Sequence, residues 1–238
     1  PEIELKELKL PSSGKILDAG CGSGIVSRLL ANYSDGLQID ACDLSHQRIN
    51  QAKQLLNDKE KKQINYFQTE LQSIPVEDKS YDLIICRFVL EHIADPQVIV
   101  DELFRVLKPE GQIVLIDLDG IFFNLYSLNE RLNEYLEFLK TKFNFDLFVG
   151  RKLPSLLIKA GFKDVEYSVS SMYFDKDDII KEYKNYQERF EFAREEITHY
   201  LGGDEFFKEF RELYLKEMLK PESSLFYNKF IVRGRKFN

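Results

Sequence analysis

The chain has 238 residues, of which 44% are apolar and 13% aromatic, so it is long enough to bury a sizeable core. A formal charge of −7 with no dense Lys/Arg stripe argues against a nucleic-acid partner, because such affinity rests on neutralising phosphates. No apolar run approaches the roughly 20 residues that cross a bilayer, and no secretory signal opens the sequence, so a cytoplasmic protein with no membrane partner is expected.

The sequence opens on Pro1 rather than Met, which leaves room for a leader or an upstream segment. Short apolar runs then read as strands at "KILDAG", "LQIDACD", "INYFQTE", "YDLIICRF" and "GQIVLIDLD". Helical patterns lie between them. After Gly24, Ile25, Val26, Leu29, Leu30 and Tyr33 share one face; after Ser45, a good N-cap, Ile49, Ala52, Leu55 and Leu56 do the same. Asp95-Pro96 opens a further helix and "KPEG" turns the chain into the next strand. This alternation predicts an α/β fold: a doubly wound, mostly parallel, Rossmann-like sheet, brought to seven strands by two runs in the second half, with helices on both faces and ligands at the strands' carboxyl ends.

The second half departs from that rhythm. "SLNE" at 127–130 reads as a capping box ahead of a helix with Leu128, Leu132, Leu136, Leu139 and Phe143 on one face, and "KLPSLLIKAGF" reads as another helix closed by Gly161. "VEYSVSSMYF" alternates like a strand. From Asp175 to Lys220 two helices are expected, the first running through Ile179, Tyr183, Tyr186, Phe190, Ala193, Ile197 and Leu201, with Gly202-Gly203 between them. Strand character returns at "LFYNKFIVRGR", so this helical pair is an insertion before the last strand.

The first strand ends in an acid and three glycines at alternate positions, Asp18, Gly20, Gly22 and Gly24, followed by Ile25. A nicotinamide-binding turn needs G-x-G-x-x-G, and the register here is wrong for it. A carboxylate at Asp18 would repel a diphosphate and attract a cation. A zwitterionic amino-acid moiety fits better, with its ammonium toward the acid and its carboxylate toward the loop amides and the helix N-terminus.

From these residues the chain resembles the class I S-adenosylmethionine-dependent methyltransferases, in their small-molecule branch, closely over 14–120 and more loosely to about 170. "ILDAGCGSG" resembles the motif that binds the methionine end of the cofactor, which assigns Asp18, Gly20, Cys21, Gly22 and Gly24. "ACDLS" resembles the acidic end of the second strand, so the resemblance implies that Asp43 accepts hydrogen bonds from both ribose hydroxyls, with Leu44 beside it. "TELQSIP" stands where the family contacts the adenine amino group; Glu70 replaces its usual aspartate and Leu71 would supply a backbone amide. "YDLIICRFVLEHI" and "LFRVLKPEGQIVLID" complete the pattern, with Arg87 placed to contact either the cofactor or an acidic acceptor. The resemblance implies S-adenosylmethionine as cofactor, S-adenosylhomocysteine as product, no metal, and a small-molecule substrate.

A sulfonium carries an activated methyl group, so alignment of acceptor and cofactor is the main task of such a protein. Where an acceptor must lose a proton, His92, Asp117 and Asp119 are the candidate catalytic bases. Phe122, Phe123 and Tyr126 would wall an aromatic or polyketide-like acceptor under a helical lid formed by 121–150 and 175–221, all within one domain over 1–238. Cys21, Cys42 and Cys86 are odd in number and lack metal-ligand spacing, and read as small buried thiols. Three other readings share the sequence: a domain of a larger assembly acting on a carrier-tethered substrate, a protein- or RNA-modifying methyltransferase, and a non-catalytic cofactor-binding protein. Nothing in the sequence specifies an oligomeric state or selects among oxygen, nitrogen and carbon acceptors.

Overall fold

In the strand "SGKILDA" the apolar residues Ile16, Leu17 and Ala19 are wholly buried, and the run stops where Gly20 takes a positive φ of 76°. That strand is β1 (Ser13–Ala19) of a computed structural model that describes residues 10–143, 146–174 and 178–237. Pro1 and the expected start of the insertion at Asp175 lie outside the described residues. The chain divides into two compact units: the first holds 1–117, 149–168 and 230–238, and the second holds 118–148 and 169–229.

In the first unit α1 (Ile25–Tyr33), β2 (Gly36–Asp43), α2 (His46–Gln54), the single turn α3 (Glu60–Gln63), β3 (Ile64–Gln68), β4 (Tyr81–Arg87), α4 (Pro96–Val106) and the first part of β5 (Leu107–Asp119) follow in order. Later come α6 (Leu153–Ala160), the start of β7 (Lys163–Tyr173) and the end of β8 (Ser224–Arg235). The strand order is β3-β2-β1-β4-β5-β8, with β7 also paired to β8, and β3 through β5 run parallel. Alternate strand residues supply two separate cores. Leu17, Ile84, Ile113 and Leu115 pack with Ile99 and Leu103 of α4 and Leu153 and Leu157 of α6; Ile16, Ile39, Ile85 and Val114 pack with Val26 and Leu30 of α1 and Ile49 and Ala52 of α2. Period-2 side chains with helices against both faces make the sheet doubly wound, as expected.

Register sets the position of the site. Ala19 lies opposite Cys42 and Cys86, Asp43 opposite Gln68, and Arg87 opposite Ile116, so Gly20, Asp43 and Arg87 leave the sheet at one carboxyl edge. The "KPEG" turn is contained within β5: Leu107 pairs with Tyr81, Glu110 takes a φ of 63°, and pairing resumes at Leu83 and Gln112. Beside this turn the buried Lys236 Nζ donates to the carbonyls of Phe104 (2.7 Å) and Leu107 (2.8 Å), satisfying the end of α4, and burial holds its pKa below the ordinary lysine value. Lys236→Met should lower stability by about 1–3 kcal/mol, seen as an earlier urea midpoint at unchanged slope, because orphaned buried carbonyls carry a desolvation cost. An unmoved midpoint would show that water satisfies them.

The second unit contains β6 (Leu125–Tyr126), α5 (Glu130–Lys140), α7 (Asp178–Phe192), α8 (Arg194–Leu201) and α9 (Asp204–Glu217). Strand β6, which sequence periodicity does not reveal, pairs antiparallel with the start of β8 and brings the strands among the described residues to eight. The expected capping box is not formed. Ser127 Oγ instead donates to Glu217 (2.7 Å), and Asn129 caps α5 by accepting from Leu132 N–H at 3.0 Å. Leu128 is consequently exposed and Phe143 falls beyond the helix. The long helix expected through Leu201 is divided at Ala193, giving three helices among the described residues where two were expected. Hydrogen bonds continue through this kink, from Ala193 N–H to Arg189 and from Ile197 N–H to Ala193, and Phe190 and Ile197 stay buried on either side. The apolar periodicity therefore survives the kink and hides it from sequence.

Candidate functional site

The glycine turn after β1 is locked to its neighbours through its own backbone. Gly20 and Cys21 N–H both donate to Cys42 C=O (2.8 and 2.9 Å), Gly24 N–H donates to Cys21 C=O (2.9 Å), and Gly22 N–H donates to Asp43 Oδ2 (2.9 Å). Glycine is required at two positions for more than its positive φ: a Cβ on Gly20 would meet Val89 Cγ2 at 2.3 Å and one on Gly24 would meet the Tyr66 hydroxyl at 2.1 Å. At Gly22 the nearest atom is Arg48 Nη1, at an ordinary 3.5 Å. The amides of Gly20, Cys21, Gly22 and Gly24, expected to face a carboxylate, are thus already committed inside the protein.

Asp18 is 2% exposed, and its Oδ2 accepts a hydrogen bond from Ser27 Oγ of α1. Burial pushes its pKa up to about 6, while the Ser27 hydrogen bonds and the Arg87 charge pull down and the Asp43 charge adds to the rise. Its carboxylate faces the helix, so any pull on a ligand's ammonium acts through the field rather than by contact. Asp43, half-buried at the end of β2, is held differently: Oδ2 takes Gly22 N–H and Oδ1 takes Ser45 N–H, each at 2.9 Å. One lone pair on each oxygen is left over. Leu44 next to it is 64% exposed, and Thr69 N–H donates to Asp43 C=O (3.2 Å), tying the loop after β3 to the same place. On that loop Glu70 is exposed and Leu71 is buried.

After β4, Phe88 has a φ of 56° and donates its N–H to Ile116 C=O, while the Arg87 guanidinium lies 3.8 Å from the centre of the Phe88 ring. A short turn at Leu90–His92 follows. Asp117, expected as a base, is 1% exposed, and its Oδ2 accepts Leu90 N–H (2.9 Å) and Glu91 N–H (3.3 Å). It anchors the turn that carries His92. The His92 side chain is half-exposed, and partial burial, with the Arg48 charge, holds its pKa below the ordinary histidine value. It is therefore neutral at physiological pH and able to accept a proton.

The methyltransferase domain family matches residues 17–115 of this chain, the stretch that contains the glycine turn, Asp43 and the β4 segment. Residues 17–115 are a class I S-adenosylmethionine-dependent methyltransferase domain. The ubiquinone biosynthesis O-methyltransferase of Rickettsia typhi is 31% identical over 137 residues, 53% of this chain and 54% of that protein. The chain thus spans about half the length of the curated relatives it matches. Among solved structures, a protein of Bacillus halodurans C-125 aligns over 100% of this chain and 98% of its own with a TM-score of 0.67 at 17% identity. Haemonchus contortus phosphoethanolamine N-methyltransferase 2, solved with S-adenosyl-L-methionine, aligns over 100% of this chain and 52% of its own with a TM-score of 0.62 at 20% identity. At those identities the two structures share the fold.

The remaining expected residues belong to the second unit, outside the methyltransferase domain's matched segment. Asp119 is 1% exposed and its carbonyl accepts from Asn124 Nδ2 (3.1 Å). Phe122 packs edge-on against Tyr186, Phe190 and Tyr214 with centroids 5.3–6.2 Å apart, and Phe123 stacks on Phe148 at 5.6 Å. Both are buried, Phe122 against rings of the insertion helices and Phe123 against Phe143 and Phe148. Tyr126 is 56% exposed. Among the described residues no cluster of three or more His, Cys, Asp or Glu side chains is placed to hold a metal, and no helix is long and apolar enough to cross a membrane. Within the methyltransferase domain, sequence reasoning passed over Ser27, Tyr66, Val89 and Arg48. The signal for Ser27 is a hydroxyl on the buried face of an apolar helix; Arg48 is a cation in the first turn of α2, where the helix dipole disfavours it.

Proposed function

We propose that the chain binds S-adenosylmethionine at the carboxyl edge of β1, β2 and β4 and transfers its methyl group to a small-molecule acceptor in the cytoplasm. The observation that carries this reading is Asp43. Backbone N–H groups hold each of its oxygens in place and leave one lone pair on each, which suits a pair of neighbouring hydroxyls such as those of a ribose. The exposed Leu44 beside it offers an apolar face to a planar base, with Glu70 and the Leu71 amide on the adjoining loop as its polar partners. Bound there, the cofactor supplies an already activated methyl group. Asp18 contributes negative potential toward the ammonium end and Arg87 closes the β4 side. His92, neutral and half-exposed, is the residue best suited to take a proton from the acceptor, and Asp117 positions it by holding the turn.

The acceptor class is supported by the ubiquinone biosynthesis O-methyltransferases among the relatives. Calorimetry with S-adenosylhomocysteine tests the central claim. Asp43→Ala should weaken binding ten- to a hundredfold, the equivalent of losing about 1.5–3 kcal/mol of charge-assisted hydrogen bonding. Equal affinity in a variant that melts like wild type would dismiss the site. Incubation with labelled cofactor and a metabolite extract then identifies the acceptor from the molecule that gains the label.

A further inference from the structure

We propose that Arg48 takes the carboxylate at the amino-acid end of the cofactor; this rests on the cofactor reading above. A carboxylate brought to this edge meets an unfavourable field, because Asp18 and Asp43 are both close by and their charges already act on one another. The turn's own donors offer it little. The N–H groups of Gly20 and Cys21 are spent on Cys42, that of Gly24 on Cys21, and that of Gly22 on Asp43. A cation is needed, and two guanidinium groups stand near.

Arg87 stands over the Phe88 ring, its Cζ 3.8 Å from the centre, and its charge acts on the buried Asp18. Arg48 is placed otherwise. Its Nη1 reaches to 3.5 Å of the point where a Cβ on Gly22 would sit, and its charge is felt at His92 on the far side of the turn, so the guanidinium stands over the glycine loop between α2 and the segment after β4. Arg48 is exposed, and among the described residues no carboxylate forms an ion pair with it. Its place in α2 is also costly. Ser45 caps this helix by accepting Arg48 N–H, which makes Arg48 the third residue of the first turn, where a positive charge opposes the helix dipole by about 0.3–1 kcal/mol. Glu or Gln at this position would complete a capping box instead. A cation kept against the local preference, over a loop in which the amides of Gly20, Cys21, Gly22 and Gly24 are engaged and beside two acids, is suited to an anion carried in by the ligand.

Paired ligands test this. S-adenosylhomocysteine carries the carboxylate, whereas 5′-methylthioadenosine keeps the nucleoside and sulfur and lacks the amino-acid end. In calorimetry, Arg48→Met should bind S-adenosylhomocysteine ten- to a hundredfold more weakly while its affinity for 5′-methylthioadenosine stays within twofold of wild type. Arg48→Lys should recover part of the loss. The Arg48→Met protein should melt no lower than wild type, because the substitution relieves the charge at the helix start. Unchanged S-adenosylhomocysteine affinity, or an equal loss for both ligands, overturns the assignment. A wild-type protein that binds 5′-methylthioadenosine but not S-adenosylhomocysteine also overturns it, while one that binds neither ligand removes the cofactor reading itself.

Discussion

At pH 8, Asp18→Asn should be more stable than wild type by up to about 3 kcal/mol, and the difference should disappear below about pH 4. The folded carboxyl has a pKa of about 6 and the unfolded one an ordinary value of 3.8, chiefly because folding removes the group from water. Folding therefore favours the protonated acid. The stability that comes from the neutral form is complete below the unfolded pKa, falls as the pH rises, and is gone above about 6. A gap of about two pH units, at 1.36 kcal/mol each, sets the upper limit. An amide has nearly the shape of the neutral acid, can still accept from Ser27, and does not titrate. Urea unfolding of both proteins at pH 4 and pH 8 checks this directly. A variant less stable by the same amount at both pH values would mean that the Ser27 hydrogen bond, not the buried charge, governs the position. The same variant should bind S-adenosylhomocysteine more weakly at pH 8, since it lacks the negative potential assigned to the ammonium end. The wild-type acid would then be a residue retained at the expense of stability.

Gly24→Ala should destabilise the protein by about 2–5 kcal/mol, while Gly22→Ala, two residues earlier in the same turn, should cost only about 1–2 kcal/mol. Both glycines have a positive φ, 78° and 55°, and share the penalty for a side chain in the left-handed region. They differ in the space around them. A methyl group on Gly24 would lie 2.1 Å from the hydroxyl and 2.8 Å from Cζ of Tyr66, a ring only 4% exposed whose hydroxyl donates to Gly24 C=O. The ring cannot swing away without opening the core under α1 and α2. On Gly22 the methyl meets nothing nearer than Arg48 Nη1 at 3.5 Å. Denaturation midpoints of the two variants measure the difference, and equal losses would show that backbone strain alone governs the turn. Against a total stability of about 5–15 kcal/mol, the Gly24 change is large.

Much of the fold was legible because its signals are local. Each strand is a short buried run ending in a turn residue, and the helices carry their apolar faces at the expected spacing, so the double winding follows from the pattern alone. Asp43 and the three glycines were legible for the same reason, since an acid at a strand end and a turn needing positive φ are written in adjacent residues. The rest depended on contacts distant in sequence. Ser127 does not cap the helix: its hydroxyl donates to Glu217, 90 residues later, and accepts the Asn129 N–H. Asp117 holds a turn formed 26–27 residues earlier. The ring partners of Phe122 come from helices more than 60 residues away, and those of Phe123 include Phe148, so their packing is not written beside them. The direction in which Asp18 points is fixed by a hydroxyl on α1, and the carboxyl side of the glycine turn by hydrogen bonds to β2.

The thiols of Cys42 and Cys86, near the ends of β2 and β4, and of Cys21 in the turn after β1 are buried, and burial lifts the pKa of every one of them, that of Cys42 to about 12. Peroxides and alkylating agents attack the thiolate, and in the native state that species is almost unpopulated. Chemical damage at these sulfurs is therefore gated by sheet opening: oxidants find this protein through its rare excursions from the folded state, and whatever steadies the sheet also shields it from them.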